Sequence, residues 1–344
     1  MKDKAMFILK AAISLALMVY LFYYFLSRPI ERETLINIMA TADLRYFLLA
    51  VLLFMTAVVT NALKWYILLH AQGIPVPLIA LINYTFVGFF FNNFLPANVG
   101  GDVMRGVGLA QYTTRKAESA VSVIVDRIMG LMAFMFTAVV SAFIAVHWVM
   151  PQQPDINGAL LAENLAQVEW VAFVGMAVLL GGFAIMLSYR LRQLVGQLFK
   201  FRLLVPLAPI YQRLSEAFGA YRYEYYPLIA AFGVGVLTVV LTGCVDLAIV
   251  AGLHGEIDPI YIFLLNPIIA VALIAPVSVG GLGTGSLLYV YFYGLVGVSQ
   301  PLAFALSLIK QVVVYLGSLP GGILWLQRRQ QSRQAAELLG NVEG

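Results

Sequence analysis

Charge is the scarcest property of this 344-residue chain, with 11% of residues Asp, Glu, Lys or Arg. Soluble domains carry about 25%. Hydrophobic residues make up 62%, and the mean hydropathy is +0.90. These values exclude a soluble globular fold and imply an all-α polytopic membrane protein. Long polar segments are missing too; the longest, residues 189–225, is too short for a soluble catalytic domain. The lone cysteine, Cys244, excludes an intrachain disulfide. The histidines His70, His147 and His254 have no ligand-spaced partners, so no metal is expected. No P-loop is present, which argues against ATP-driven pumping, and no cofactor is expected. No nucleophile–base pair stands out, so enzymatic activity is not expected. A net charge of +4 reads as membrane topology and lipid contact, not nucleic-acid binding.

What the chain does have is apolar runs. Six of them, at 6–26, 46–69, 118–148, 168–188, 226–253 and 301–326, are long enough to cross a bilayer. The first follows Lys2 and Lys4 and lacks a small-x-small cleavage site, so it reads as a membrane helix and not a signal peptide. Lys64, Trp65 and His70 close the second in the manner of an interfacial anchor. The loop 27–45 is mixed in charge. In 189–225, Arg190, Arg192, Lys200, Arg202, Arg213 and Arg222 alternate with leucines such as Leu191 and Leu194. That pattern reads as amphipathic helix on the membrane surface, interrupted by Pro206 and Pro209.

Two further apolar segments stop at a polar, glycine-rich turn. Pro96-Ala97-Asn98-Val99-Gly100-Gly101 returns 180 residues later as Pro276-Val277-Ser278-Val279-Gly280-Gly281. Proline and paired glycines break a helix. Polar backbone at membrane depth is tolerated only against protein or a water-filled cavity. Each turn therefore reads as the tip of a re-entrant helical hairpin, 78–110 and 260–296. With the N-terminus inside, the inner segments hold sixteen Lys and Arg against three outside, Arg28, Arg32 and Arg45. Both termini are then expected in the cytoplasm. The hairpins enter from opposite sides, which makes 1–150 and 151–344 inverted-topology repeats. Such repeats with broken helices point to a midplane transport site.

The turns supply the first candidate site residues. A helix launched by each Gly-Gly pair offers unpartnered N–H groups to a phosphate or carboxylate. Gly100, Gly101, Gly280, Gly281 and Gly283 would admit a ligand close to the backbone, beside Asn93, Pro96, Asn98 and Ser278. Isolated glycines such as Gly181 and Gly182 read as helix-crossing positions. Charges inside apolar runs must face protein or a wet cavity. Arg105, Arg127 and Lys310 are the candidates for gripping an anionic headgroup. Asp102, Asp126 and Asp246 would pair them or relay a proton, with purely structural ion pairing as the alternative for Asp126 and Asp246.

Three ordered motifs carry a family resemblance. They are Asn93-x-x-Pro96-x-x-x-Gly100-Gly101-Asp102-x-x-Arg105, Asp126-Arg127-x-x-Gly130 and Pro276-x-Ser278-x-Gly280-Gly281-Leu282-Gly283. Together they resemble signatures of the lysylphosphatidylglycerol synthetase/flippase transmembrane-domain family over nearly the whole chain. Two positions depart from the family pattern: Ser286 replaces a frequent glutamate, and Lys310 a frequent arginine. The family's soluble synthetase domain is expected to be absent. The resemblance implies a flippase moving an anionic or zwitterionic phospholipid, glycophospholipid or polyprenyl-phosphate lipid between leaflets by alternating access. A membrane lipid is the expected partner, with a glycosyltransferase or lipid-modifying protein as a second, and a prokaryotic cytoplasmic membrane the expected location. The alternatives are an accessory subunit or enzyme of lipid-linked sugar transfer, and an ion-coupled small-solute transporter.

Overall fold

Hydrocarbon offers no water to backbone N–H and C=O groups, so a chain this apolar satisfies them within helices. The computed structural model describes residues 2–93, 100–110, 112–113, 116–149, 158–198, 208–219, 221–273 and 278–340. Among the described residues there are thirteen α-helices and no strand. The first three are α1 (Lys2–Ser27), α2 (Pro29–Ala40) and α3 (Leu44–Ala71). α4 (Leu78–Asn92) and α5 (Gly100–Leu109) flank the first turn, and α6 (Lys116–Ile144) runs on into a π-helical turn at Ala145–Val149. α7 (Gly158–Leu187), α8 (Tyr189–Leu198) and α9 (Ala208–Gly219) follow. α10 (Tyr225–Gly252), α11 (Pro259–Ala272), α12 (Thr284–Leu295) and α13 (Gln300–Gly340) complete the chain.

Among the described residues, α1, α3, α6, α10 and α13 contain stretches long and apolar enough to cross a membrane. α7 and α8, bent by 92° at their junction, give a sixth if taken as one broken span. The protein is an all-α integral membrane protein. One expectation changes: the mixed-charge loop 27–45 folds largely as α2. Pro29 at its first position is pre-set for helix and loses no needed donor there.

α3 and α10 pack along each other at the centre. Around them, α4 packs on α13 and α5, while α11 packs on α6 and α12. Exchanging α3 with α10, α4 with α11, α5 with α12 and α6 with α13 converts each of these contacts into another. The α3–α13 contact likewise becomes α10–α6.

Small residues set the closest approaches, as they do where no hydrophobic force drives membrane helices together. A Cβ at Gly321 on α13 would lie 2.1 Å from the Phe86 carbonyl oxygen on α4. One at Gly317 would lie 2.4 Å from the Phe54 ring on α3. Gly181 and Gly182 behave otherwise: nothing lies within 4 Å of a Cβ at either, so they are surface positions and not crossing points. Gly321→Ala should therefore destabilise the protein by about 1–3 kcal/mol through overpacking. Gly181→Ala should leave stability unchanged or slightly raised. Melting curves of the two variants in detergent compare them; equal melting temperatures would contradict the α4–α13 packing.

Candidate functional site

The second turn is built on three glycines in the left-handed region, Gly280, Gly281 and Gly283, at φ 59°, 76° and 75°. An L side chain is strained at such angles. The turn folds back so tightly that a Cβ at Gly280 would sit 2.4 Å from the Asn93 carbonyl oxygen. The second turn thus touches Asn93, the last described residue before the first turn. Gly283 faces the other way, against α1, where a Cβ would lie 2.9 Å from the Ser14 carbonyl oxygen. The Val279 N–H donates to Ser14 Oγ at 2.9 Å, and the Ser278 and Thr284 hydroxyls bond each other. Ser278 and Gly283 therefore hold the turn in place and do not line the cavity.

The first turn corrects a second expectation. The Gly101 N–H at the start of α5 is not free for an anion; it donates to Asn92 Oδ1 at 2.8 Å. A Cβ at Gly101 would lie 2.2 Å from the Gly88 carbonyl oxygen, so this glycine lets α5 cross α4 closely. Gly100 opens α5 and is not part of the cavity wall. Asn93 Nδ2 donates to Ser318 Oγ on α13 at 2.8 Å. Pro96, Asn98 and Pro276 lie outside the described residues.

Behind the turns lies a cavity of about 420 Å³. The first half of the sequence contributes Lys64, Asn93, Asp102, Arg105, Asp126 and Arg127 to its lining, and the second half Asn266, Gly280, Gly281, Ser286, Tyr289 and Lys310. Ser286 is 6% exposed. No group of three metal-ligating side chains is found among the described residues.

Asp126 organises the residues of the first half. Its Oδ2 accepts from Arg105 Nη2 at 2.8 Å, and Lys64 Nζ lies 3.3 Å from its Oδ1. Lys64 also donates to the Asp126 backbone carbonyl at 3.0 Å. Asp102 approaches Arg105 at 3.7 Å and pairs with Arg127 Nε. The Arg105 guanidinium lies over the Trp65 ring at 4.1 Å, and Trp65 Nε1 donates to Ser122 Oγ at 3.2 Å. In the second half, Asp246 is fully buried and sits behind the wall. Its Oδ2 accepts from Lys310 Nζ at 2.8 Å and from the Tyr289 hydroxyl at 3.1 Å.

Unpaired charge is prohibitive at this depth, so these pairings follow from burial. They also rank the cations. The Lys64 and Arg105 side chains are 5% and 7% exposed, whereas Arg127 and Lys310 keep 33% and 21%. Arg105 lines the cavity but is committed to two carboxylates and an aromatic face; Arg127 and Lys310 are the more exposed cations of the cavity wall. Four cations face three carboxylates, leaving one formal positive charge in excess.

Lys64 and Trp65 are not the interfacial anchors that their place in the run indicated; both are buried beneath α6 contacts. The signal for this was Asn61, three residues before Lys64, which puts two polar side chains on one helical face. Asn266 and Tyr289 were equally unmarked, single polar groups within apolar segments.

Residues 7–321 match the family described as the lysylphosphatidylglycerol synthase TM region. The chain belongs to that family. A UPF0104 membrane protein of Pyrococcus horikoshii is similar at 24% identity over 321 residues, covering 87% of this chain and 91% of the relative. No solved structure matches. In this chain the motif residues Asp102, Arg105, Asp126 and Arg127 are one interlocked ion network. Asp126→Asn should destabilise it by about 3–5 kcal/mol, because a buried cation loses its partner. Lys64→Met added to Asp126→Asn should recover part of that loss. A double-mutant cycle on thermal unfolding measures the coupling, and additive effects would show that the Lys64–Asp126 contact is energetically empty.

Proposed function

We propose that this protein is a lipid transporter, moving an anionic or zwitterionic lipid between leaflets without itself performing chemistry on it. The observation that carries the reading is the cavity beside Asn93 and Gly280, with Arg127 and Lys310 exposed to it from opposite sequence halves. A phosphate-bearing headgroup would bridge these cations, since charge-assisted bonds to guanidinium and ammonium are the strong ones. Acyl tails would remain in lipid through a lateral opening. Thr238, Thr242, Asn61 and Gln311 on the same wall offer neutral hydrogen bonds to the rest of a headgroup. The lipid gradient or a coupled ion would supply the driving force.

Access would alternate by rocking one half against the other, with 1–150 and 151–344 as inverted repeats. The exchangeable helix contacts support this reading, as does the mutual packing of α3 and α10 across the exchange. The charge count supports cytoplasmic termini even after Lys64 and Arg105 move to the core, with fourteen Lys and Arg inside against three outside.

Arg127→Gln and Lys310→Gln should each slow translocation of a fluorescent phospholipid in proteoliposomes by about tenfold, the worth of one charged hydrogen bond, at unchanged expression. Normal transport by both variants would refute the headgroup role. Opposed hairpins are tested by cysteine labelling on a Cys244→Ala background. Tyr112→Cys should react only from the cytoplasmic side and Ser299→Cys only from the outer side; labelling of both from one side would refute the inversion.

A further inference from the structure

A second pocket, of about 310 Å³, lies between α8 and α9 and shares no lining residue with the central cavity. Volumes from about 300 Å³ upward suit small-molecule sites. Its floor is Arg192, only 6% exposed. Nη1 reaches Ser215 Oγ at 3.5 Å, the outer limit of a hydrogen bond, and Nε has no partner. No carboxylate among the described residues lies within 4.0 Å of this guanidinium; Glu216 lines the pocket but stays in solvent. Arg192 thus differs from the buried cations of the central cavity, each of which has its carboxylate. The pocket is firmly built, since the Tyr211 hydroxyl donates to the Arg192 carbonyl at 2.6 Å and ties α9 to α8.

A buried cation without an internal counter-charge takes one from outside. The surroundings indicate what is on hand. Leu194 is 57% exposed beside the pocket, and Tyr223 and Tyr226, around the start of α10, are 72% and 89% exposed, as aromatic side chains are at a membrane interface. Arg222 adds positive potential at Arg192. We infer that the α8–α9 pocket binds a phosphate group, that of an anionic phospholipid at the membrane surface, with Arg192 as the charged donor and Ser215 as a second donor. Arg side chains suit this role because their planar fork matches phosphate oxygens.

Native mass spectrometry of the full chain in detergent tests the inference, with dioleoyl-phosphatidylglycerol, dioleoylglycerol (no phosphate) and inorganic phosphate as probes. Besides any lipid in the central cavity, the wild type should bind a phosphatidylglycerol that Arg192→Gln binds about tenfold more weakly, a loss of about 1.4 kcal/mol. Dioleoylglycerol should show no such difference, and Arg127→Gln in the central cavity should retain this lipid. Gly196→Leu is the second variant. It fills the pocket from α8, where a Cβ would meet only the Tyr211 ring at 3.4 Å, and it favours helix while keeping the Arg192 charge. It should lose the same lipid, which keeps the test valid if Arg192→Gln fails to fold. Displacement of the lipid by millimolar inorganic phosphate, or phosphate binding in its absence, would assign the site to free phosphate. Unchanged phosphatidylglycerol binding by a folded Arg192→Gln or Gly196→Leu, with no phosphate bound, would overturn the proposal.

Discussion

A carboxylate buried among apolar helices must find cations, and the arrangement around Asp126 follows from that demand. Arg105 from α5 and Lys64 from α3 both converge on it, so three helices are fixed relative to one another by one side chain. Arg105 can reach Asp126 only because α5 crosses α4 without a side chain at Gly101, and because Trp65 offers the guanidinium an aromatic face. Asp102 is thereby left to hold Arg127. Adjacent residues in sequence, Asp126 and Arg127, turn to different partners, which is how one dipeptide links the buried network to the cavity.

The same constraint explains the glycines. Polar backbone among apolar helices needs protein or water against it, and Gly280, having no side chain, lets the second turn lie against the Asn93 carbonyl. Asn93 is secured by Ser318 on α13, and the second turn by Ser14 on α1. A hydroxyl on a neighbouring helix does in both places what water does for a soluble loop.

Much of this was legible in the sequence because it rests on gross polarity. Helical class, the apolar runs and the two breaks at Gly100-Gly101 and Gly280-Gly281 come from composition and breaker residues that no tertiary contact overrides. Which atoms face the cavity was not legible. Gly283 and Ser278 share a motif with Gly281 yet point at α1 and Thr284, because three left-handed residues in four rotate the chain out of any regular period. Lys64 was mistaken for an anchor because a lysine near the end of an apolar run looks the same whether it snorkels to water or is met by a carboxylate from 62 positions away.

The packing around the two turns is nearly exchangeable, but their chemistry is not. The first half places three cations and two carboxylates on the cavity, and the second places Lys310 with a single carboxylate behind it. An anionic occupant would therefore meet its excess positive charge nearer the first turn. Arg127 and Lys310, the two cations it would touch, are each held by one carboxylate, Asp102 and Asp246. An incoming anion would compete with that carboxylate for a cation already desolvated, so its binding would be an exchange of partners with a small net free energy. The lipid carrier proposed above would have to release its cargo on the other side, and such an exchange would allow it, whereas a cation with no internal partner would hold the same headgroup far more tightly.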